Sequence, residues 1–185
     1  MDSHRDVIER VMTEGMAPGV VILVGRGGKT VLHEAFGRAR TNPDVPMRPD
    51  AVFDMASVTK AVAATAACAV CIDDGRLALD ALLGGGTRDG VRVLSPAALA
   101  LFEHRLNQPP HRPRSFGWDV APELRPTNLS GRTYYHTGWT GQSLYVDPGS
   151  NAYAIILTNR TGDHDRARFQ RRVIAEAALA TGSRS

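Results

Sequence analysis

Hydrophobic residues recur along this chain with two different periods. Over residues 2–14 and again over residues 163–181, apolar positions repeat every three to four residues, which predicts an amphipathic helix near each end. Between them, apolar runs rich in Val, Ile and Leu at 20–24, 29–36 and 152–158 predict strands. This order predicts an α+β fold, in which N- and C-terminal helices flank an antiparallel sheet.

Glycine, serine and proline residues mark the expected turns and helix starts. The glycine-rich segment 25–28 joins two strand-like runs, as in a β-hairpin. A further helix is expected over 56–74, and a short one begins at Ser95-Pro96, where serine caps the helix and proline fits its first turn. Additional strands are expected at 116–120 and at 134–146, the latter with a glycine-rich break.

Length and composition restrict the class of protein. A chain of 185 residues fits a single domain, at roughly 150 residues per domain, so residues 1–185 are expected to form one unit. The apolar stretch 61–72 is short for a membrane-spanning helix, which needs about 20 residues, so no membrane association is expected. The polar segment 1–6 lacks the pattern of a signal peptide, and a cytoplasmic location is expected.

Charge and metal-ligating residue types add two expectations. The net charge of +3 is a mild excess, and the arginines at 166–172 lack interleaved aromatic residues, which favours a solvated helix face over nucleic-acid binding. Cys68 and Cys71 lie in an alanine-rich helical stretch, which favours core packing over a redox or metal site. The histidines show no ligand spacing, so neither a metal nor a cofactor is expected.

The first candidate catalytic motif is Ser57-Val58-Thr59-Lys60. A serine in the first turn of a helix has an unpaired backbone N–H, lies near the positive end of the helix dipole, and shares a face with residue i+3. An amine held away from water loses its charge more readily, so Lys60 is a candidate general base for Ser57 as a nucleophile in acyl transfer. The alternative is a helix-capping serine followed by a surface lysine.

A second motif, His136-Thr137-Gly138, lies in a strand-like segment near the other end of the chain. It matches the Lys/His, Thr/Ser, Gly pattern that accompanies Ser-x-x-Lys in acyl-serine enzymes. Composition alone would produce each motif about 0.1 times in such a chain, so their joint occurrence by chance is about one per cent. The pair of motifs therefore favours the catalytic interpretation of Ser57 and Lys60.

These motifs resemble the serine β-lactamase and penicillin-binding protein family, closest to its branch of esterases, D-alanyl-D-alanine carboxypeptidases and class C-like enzymes. The resemblance covers most of the chain in the family's order. The matching stretches are Pro18–Val24, Phe53–Lys60, Asp73–Leu77, Gly90–Pro96, Phe116–Trp118 and His136–Gly141.

The resemblance implies a role for each motif residue. Ser57 is the acylated nucleophile, Lys60 its activating base, and His136 lines the cleft. Thr137 and Gly138 belong to the substrate-binding strand, along which substrate pairs by β-addition. The backbone N–H groups of Ser57 and Trp139 form the oxyanion hole.

One element of the family pattern is missing. The family carries a Tyr-x-Asn or Tyr-x-Ser motif on a largely helical insertion, but no tyrosine of this chain has Asn or Ser two positions later. The segment 77–86 resembles sequence from both sides of that insertion. It is therefore the expected seam at which the helical subdomain has been lost.

Two hypotheses about function follow. The first is a minimal serine hydrolase acting on small esters, amides or β-lactams, with esters favoured because His136 lacks the permanent charge of lysine. The second is a catalytically weak or inactive remnant that serves as a binding or structural module. Loss of the helices would expose an apolar face, and a homodimer that covers this face is expected.

Overall fold

The computed structural model describes residues 3–54, 57–58, 83–92, 94–159 and 164–181. The helix expected over 56–74, with Lys60 and both cysteines, lies outside these residues except for 57–58. So does most of the expected seam at 77–86.

An antiparallel sheet of six strands forms the centre of the described structure. The strand order across it is β3-β2-β1-β8-β7-β6, with β4 and β5 forming a separate two-stranded ribbon. Every pairing is antiparallel. The strands are β1 (Gly19–Arg26), β2 (Lys29–Thr41), β3 (Asp44–Pro46), β4 (Thr87–Arg88), β5 (Val91–Arg92), β6 (Tyr134–Thr137), β7 (Ser143–Asp147) and β8 (Ala152–Thr158).

Three α-helices and one short 3-10 helix accompany the sheet in the described part of the chain. Ser3 caps the first helix through a capping box with Asp6, and Ser95 caps the second. The helices are α1 (His4–Thr13), α2 (Pro96–Glu103), the 3-10 helix Pro122–Leu124, and α3 (His164–Thr181). The predicted α+β fold with terminal helices is confirmed.

Two buried clusters lie on opposite faces of the sheet. On the helix face, Tyr135 and Tyr145 pack with Ile8 of α1 and Ile174 of α3. The other face, called the front face below, carries a second cluster. Because successive side chains of a strand point to opposite faces, neighbouring residues of β6 and β7 divide between the two clusters. The front-face cluster consists of Val58, Leu94, Phe102, Trp118, Tyr134, Leu144, Val146 and Tyr153.

Two hairpins depend on positive backbone φ angles. Gly27 and Gly28 join β1 to β2 with φ of 56° and 73°, which confirms the predicted glycine-rich turn. Asp89 and Gly90 join β4 to β5 in the same way, with φ of 49° and 78°. The Asp-Gly pair is a hairpin signal. The strands that flank it are only two residues long, which is too short to produce an alternating pattern in the sequence.

The strand predicted at 116–120 is wrong. The chain turns back there, because Gly117 has a φ of 83° and the Ser115 N–H donates to the Trp118 carbonyl at 3.0 Å. Only Asp119 pairs with the sheet, through an isolated bridge to Tyr135. The apolar residues that suggested a strand instead include Trp118, whose ring is buried in the front-face cluster.

The arginine-rich stretch of α3 is not wholly solvated, contrary to prediction. Arg171 is fully buried, and its Nε donates to the Ser143 hydroxyl of β7 at 2.8 Å. It follows Ala167 by four positions and precedes Ile174 by three, so it lies on the buried side of the helix. The other arginines pair with acidic groups: Arg166 with Glu14, Arg168 with Asp165, and Arg172 with Glu176.

Apolar side chains are exposed beside α2. Leu101, Leu106 and Phe116 are each about half exposed, and the Phe116 N–H donates to the Leu101 carbonyl at 2.9 Å. A second copy of the chain covering this surface stays a prediction. Among the described helices, none is long and apolar enough to cross a membrane.

The buried carboxylate of Asp147 organises the turn between β7 and β8. It accepts hydrogen bonds from the Ser130 N–H at 2.8 Å, the Ser130 hydroxyl, the Gly149 N–H at 2.9 Å and the Ser150 hydroxyl at 2.6 Å. Burial raises the pKa of Asp147, but these hydrogen bonds outweigh it and hold the pKa below its usual value. The ionised form is therefore the one that the fold stabilises.

We expect Asp147→Asn to lower the free energy of unfolding by about 2–3 kcal/mol at pH 7, because an amide cannot accept all of these bonds. Since the folded-state pKa is depressed, the carboxylate stabilises the fold above its unfolded pKa. This stabilisation disappears as the pH falls through the folded pKa. The difference between wild type and variant should therefore shrink below about pH 4.

Urea unfolding at pH 7 and pH 3 measures this difference. Asp44→Asn is the matched control, because Asp44 pairs with Arg38 at an exposed site and should contribute little. A difference for Asp147→Asn that stays constant with pH would contradict the assignment.

Candidate functional site

Ser57 is half-buried and directly precedes a residue anchored in the core. The Val58 side chain is fully buried in the front-face cluster, together with Tyr134 of β6 and Leu144 of β7. The hydrophobic residue after the serine thus holds this segment against the front face of the sheet, beside its edge strand β6.

His136 lies on the same face of β6 as Tyr134, because it follows Tyr134 by two positions along the strand. Its ring is half-buried, with Nδ1 3.1 Å from the Thr137 carbonyl oxygen. A hydrogen bond to that carbonyl requires the proton on Nδ1, so Nε2 is the basic nitrogen of the neutral ring. His136 is thereby placed on the face that also carries Val58.

The outer edge of β6 is partly covered. The N–H and carbonyl of Tyr135 pair with the backbone of Asp119 at 2.9 and 2.8 Å. By the alternation of an antiparallel strand, the backbone of Thr137 also points outward. The bridge to Asp119 thus occupies the outward-facing backbone of β6 at Tyr135, and any further strand pairing along this edge would begin at Thr137.

Buried ionic contacts fix the Asp119 bridge. The Asp119 carboxylate is buried, lies 2.9 Å from Arg112 and 3.6 Å from Arg114, and accepts from the Ala121 N–H at 3.0 Å. Burial lowers the pKa of Arg112, but the charge of Asp119 and the hydrogen bonds to Tyr135 and Asp119 together outweigh it and raise that pKa above its usual value. These contacts hold the covering segment against β6.

A tight turn follows β6. The Gly138 N–H donates to the Gln142 carbonyl at 2.8 Å, and the Gly141 N–H donates to the Gly138 carbonyl at 3.2 Å. Trp139 occupies the second position of this turn, and its side chain is 66% exposed. The backbone of Trp139, expected to contribute an oxyanion donor, thus lies in a hydrogen-bonded turn.

A direct contact joins the two motif regions. The Thr140 hydroxyl donates to the Asp54 carbonyl at 3.1 Å, across 86 positions of sequence. Asp54 precedes Ser57 by three residues, and Thr140 follows Gly138 by two. The structure therefore brings the serine segment to the turn beyond β6, beside a cavity of about 300 Å³ whose lining includes Phe53, Asp54, Thr140, Gln142 and Asn159.

Three buried tyrosines near the site are poor proton acceptors. Burial raises the pKa of Tyr134, Tyr135 and Tyr145 well above the usual value of a phenol. Each therefore stays protonated at neutral pH.

The sequence motifs identify only part of this arrangement. Ser57, His136, Thr137, Gly138 and Trp139 are described, whereas Lys60 lies outside the described residues. The catalytic roles of all six remain predictions. Gln142 was missed, because a buried glutamine inside a strand-like stretch has no local signal, and the contact of Thr140 with Asp54 is visible only in three dimensions.

An antiparallel sheet with terminal helices on one face, and a serine segment beside an edge strand on the other, defines a β-lactamase/transpeptidase-like fold. The family model described as Beta-lactamase matches residues 4–94 and 83–179, which together span nearly all of the chain. The chain belongs to the β-lactamase family, which is part of a superfamily of serine hydrolases.

Curated relatives match over less than half of the chain. The serine β-lactamase-like protein LACTB, mitochondrial, of Bos taurus is 38% identical over 80 residues, covering 43% of this chain and 14% of LACTB. A candidate D-alanyl-D-alanine carboxypeptidase of Salmonella paratyphi B is 30% identical over 92 residues, covering 47% of this chain and 21% of that protein. The chain thus matches only a small part of the length of these relatives.

Solved structures match over nearly the whole chain. EstCE1, described as a hydrolase with promiscuous acyltransferase activity, superposes with a TM-score of 0.72 at 14% identity, covering 94% of this chain and 97% of that one. A class C β-lactamase from Rhodobacter sphaeroides gives a TM-score of 0.68 at 12% identity, covering 95% and 99%. At these identities the superpositions confirm the fold.

Proposed function

We propose that this chain is a serine hydrolase that forms an acyl-enzyme on Ser57 and acts on small esters, with amides and β-lactams as further substrates. The observation that carries the proposal is the hydrogen bond from the Thr140 hydroxyl to the Asp54 carbonyl, 3.1 Å long. It joins the segment before Ser57 to the turn after the His136 motif. Family membership supports the same chemistry.

In the proposed mechanism the Ser57 hydroxyl attacks the substrate carbonyl while its proton passes to the Lys60 amine. The oxyanion accepts hydrogen bonds from the N–H groups of Ser57 and Trp139. Collapse expels the alcohol, which takes the proton back from Lys60. Water then hydrolyses the acyl-enzyme with the same proton transfers, restoring Ser57. The role of Lys60 is inferred from its position three residues after Ser57.

The preference for esters is inferred from His136. An imidazole, unlike a lysine amine, carries no permanent positive charge for a substrate carboxylate, and the Nδ1 of His136 is directed at the Thr137 carbonyl. Recognition of β-lactams or D-alanyl peptides, which carry a carboxylate, is therefore weaker than in a site with lysine there. EstCE1, described as a hydrolase with acyltransferase activity, supports acyl transfer on this fold.

We also propose that the helical subdomain of the family is missing at 77–86. The two segments that match the family model overlap at residues 83–94, as expected if sequence from both sides of an insertion has been brought together. The chain also lacks the Tyr-x-Asn or Tyr-x-Ser motif that this subdomain carries in the family. This observation favours the alternative function, a catalytically weak or inactive module.

Labelling with a fluorophosphonate separates the two functions. For the hydrolase, intact-mass analysis should show one phosphonyl group per chain, located on Ser57 by peptide mapping, because the probe reacts with activated serines. Ser57→Ala should abolish labelling, and Ser115→Ala, a change at another serine of low exposure, should retain it. A folded wild-type sample without an adduct would exclude the hydrolase and favour the module.

A further inference from the structure

A hydrogen-bonded latch, consisting of Asp54, Thr140 and Gln142, joins the turn beyond β6 to the segment that leads into Ser57. The Thr140 hydroxyl lies 3.1 Å from the Asp54 carbonyl oxygen and 2.7 Å from Oε1 of Gln142. We propose that Thr140 is a positioning residue that sets the spacing between the N–H groups of Ser57 and Trp139. This inference rests on the proposed acyl-transfer function.

The turn is tied firmly to the sheet by other bonds. The Gly138 N–H donates to the Gln142 carbonyl at 2.8 Å, and the Thr158 hydroxyl donates to the Gly141 carbonyl at 2.6 Å. Both bonds run to β8 or to the residue just before β7. They fix the turn, and with it Trp139, relative to the sheet. The Thr140 hydroxyl adds the connection from this turn to Asp54.

The serine segment is held at two points on either side of Ser57. Val58 is buried in the front-face cluster, and the Asp54 carbonyl accepts from Thr140. Ser57 lies between these anchors. The hydrophobic anchor at Val58 tolerates small rotations. The hydrogen bond to the Asp54 carbonyl is directional, and it ties the serine segment to the turn that contains Trp139. A change in the directional anchor would therefore shift the Ser57 N–H relative to the Trp139 N–H, which is the spacing that the proposal assigns to Thr140.

The side chain of Gln142 stabilises the latch. Its side chain is buried, and Nε2 donates to the Thr158 carbonyl at 3.4 Å, which directs Oε1 toward Thr140. A hydroxyl has one proton, so Asp54 and Gln142 share a single donor. Removal of the Thr140 hydroxyl takes this donor from both acceptors and breaks the hydrogen bond between the turn and Asp54.

Thr140→Val tests the latch, because valine keeps the shape of threonine and lacks the hydroxyl. An oxyanion hole tolerates only small displacements, so kcat for an activated acetate ester should fall about 10- to 100-fold while KM changes less than about three-fold. Thr140→Ser restores the hydroxyl and should return kcat to within about three-fold of wild type.

Thr133→Val is the matched control. Its hydroxyl donates to the Ser130 carbonyl at 2.8 Å just before the opposite end of β6, so this variant loses a similar bond away from the site. It should keep kcat. A kcat for Thr140→Val within two-fold of wild type, or equal losses in both variants, would overturn the inference.

Amide hydrogen exchange in the peptide spanning 138–142 measures the latch without turnover. Faster exchange in Thr140→Val than in Thr133→Val supports the latch, and unchanged exchange overturns it. This measurement applies whether or not the chain hydrolyses esters. Absence of Ser57-dependent turnover in wild type overturns the proposed function and, with it, a catalytic use for the latch, while the exchange data still decide whether the latch exists.

Discussion

Ser57→Ala should reduce kcat for an activated ester by at least about 10³-fold, since removal of the nucleophile eliminates the acyl-enzyme route. The N–H of residue 57 and the Trp139 turn remain, so binding and a small residual rate can persist. Ester hydrolysis followed at saturating substrate measures the effect.

The same substitution should leave the fold intact. Ser57 is half-buried, and the adjoining Val58 supplies the core contact, so the thermal midpoint of Ser57→Ala should match that of wild type. A variant that is folded and keeps the wild-type kcat would show that hydrolysis, if present, proceeds without an acyl-enzyme on Ser57.

Lys60→Ala should lower kcat by about 10²- to 10⁴-fold, the usual contribution of a general base. Lys60→Arg should lower it similarly, because a guanidinium keeps the charge but stays protonated and cannot accept the Ser57 proton. Turnover measured between pH 6 and pH 10 should lose, in both variants, the alkaline-rising limb that a lysine base produces in wild type.

The chain supplies its own control, since Lys29 is the only other lysine and is exposed at the start of β2. Lys29→Ala should retain both kcat and the pH profile. If Lys60→Ala turned over substrate at the rate of the wild type, the general-base assignment would be wrong. His136 would then become the candidate base. Retention of activity in Lys60→Arg alone would assign an electrostatic role to Lys60 instead.

The sequence predicted elements well where one physical signal dominated. The expected strand at 152–158 coincides with β8, and the expected helix at 163–181 begins one residue before α3. The strand predicted at 116–120 is wrong because the chain turns at Gly117, and this turn buries Trp118 without strand pairing. Arg171 was misjudged because residue type suggested solvent, although its spacing places it on the buried stripe of α3.

In the candidate site, too, the local motifs could be predicted from the sequence and the long-range contacts could not. Ser57 with Lys60, and the His136 motif, were recognisable because their chemistry depends on neighbours within a few residues. The contact between Thr140 and Asp54 links positions 86 apart, so no local pattern encodes it. Gln142 is a buried polar residue whose partners come from the fold.

The two edges of the central sheet differ from the open edges that promote self-association. At one side β3 has only three residues and ends in proline, which cannot donate to a further strand. At the other side the Asp119 bridge occupies β6 at Tyr135. The sheet is therefore protected at both edges from edge-to-edge growth into larger assemblies.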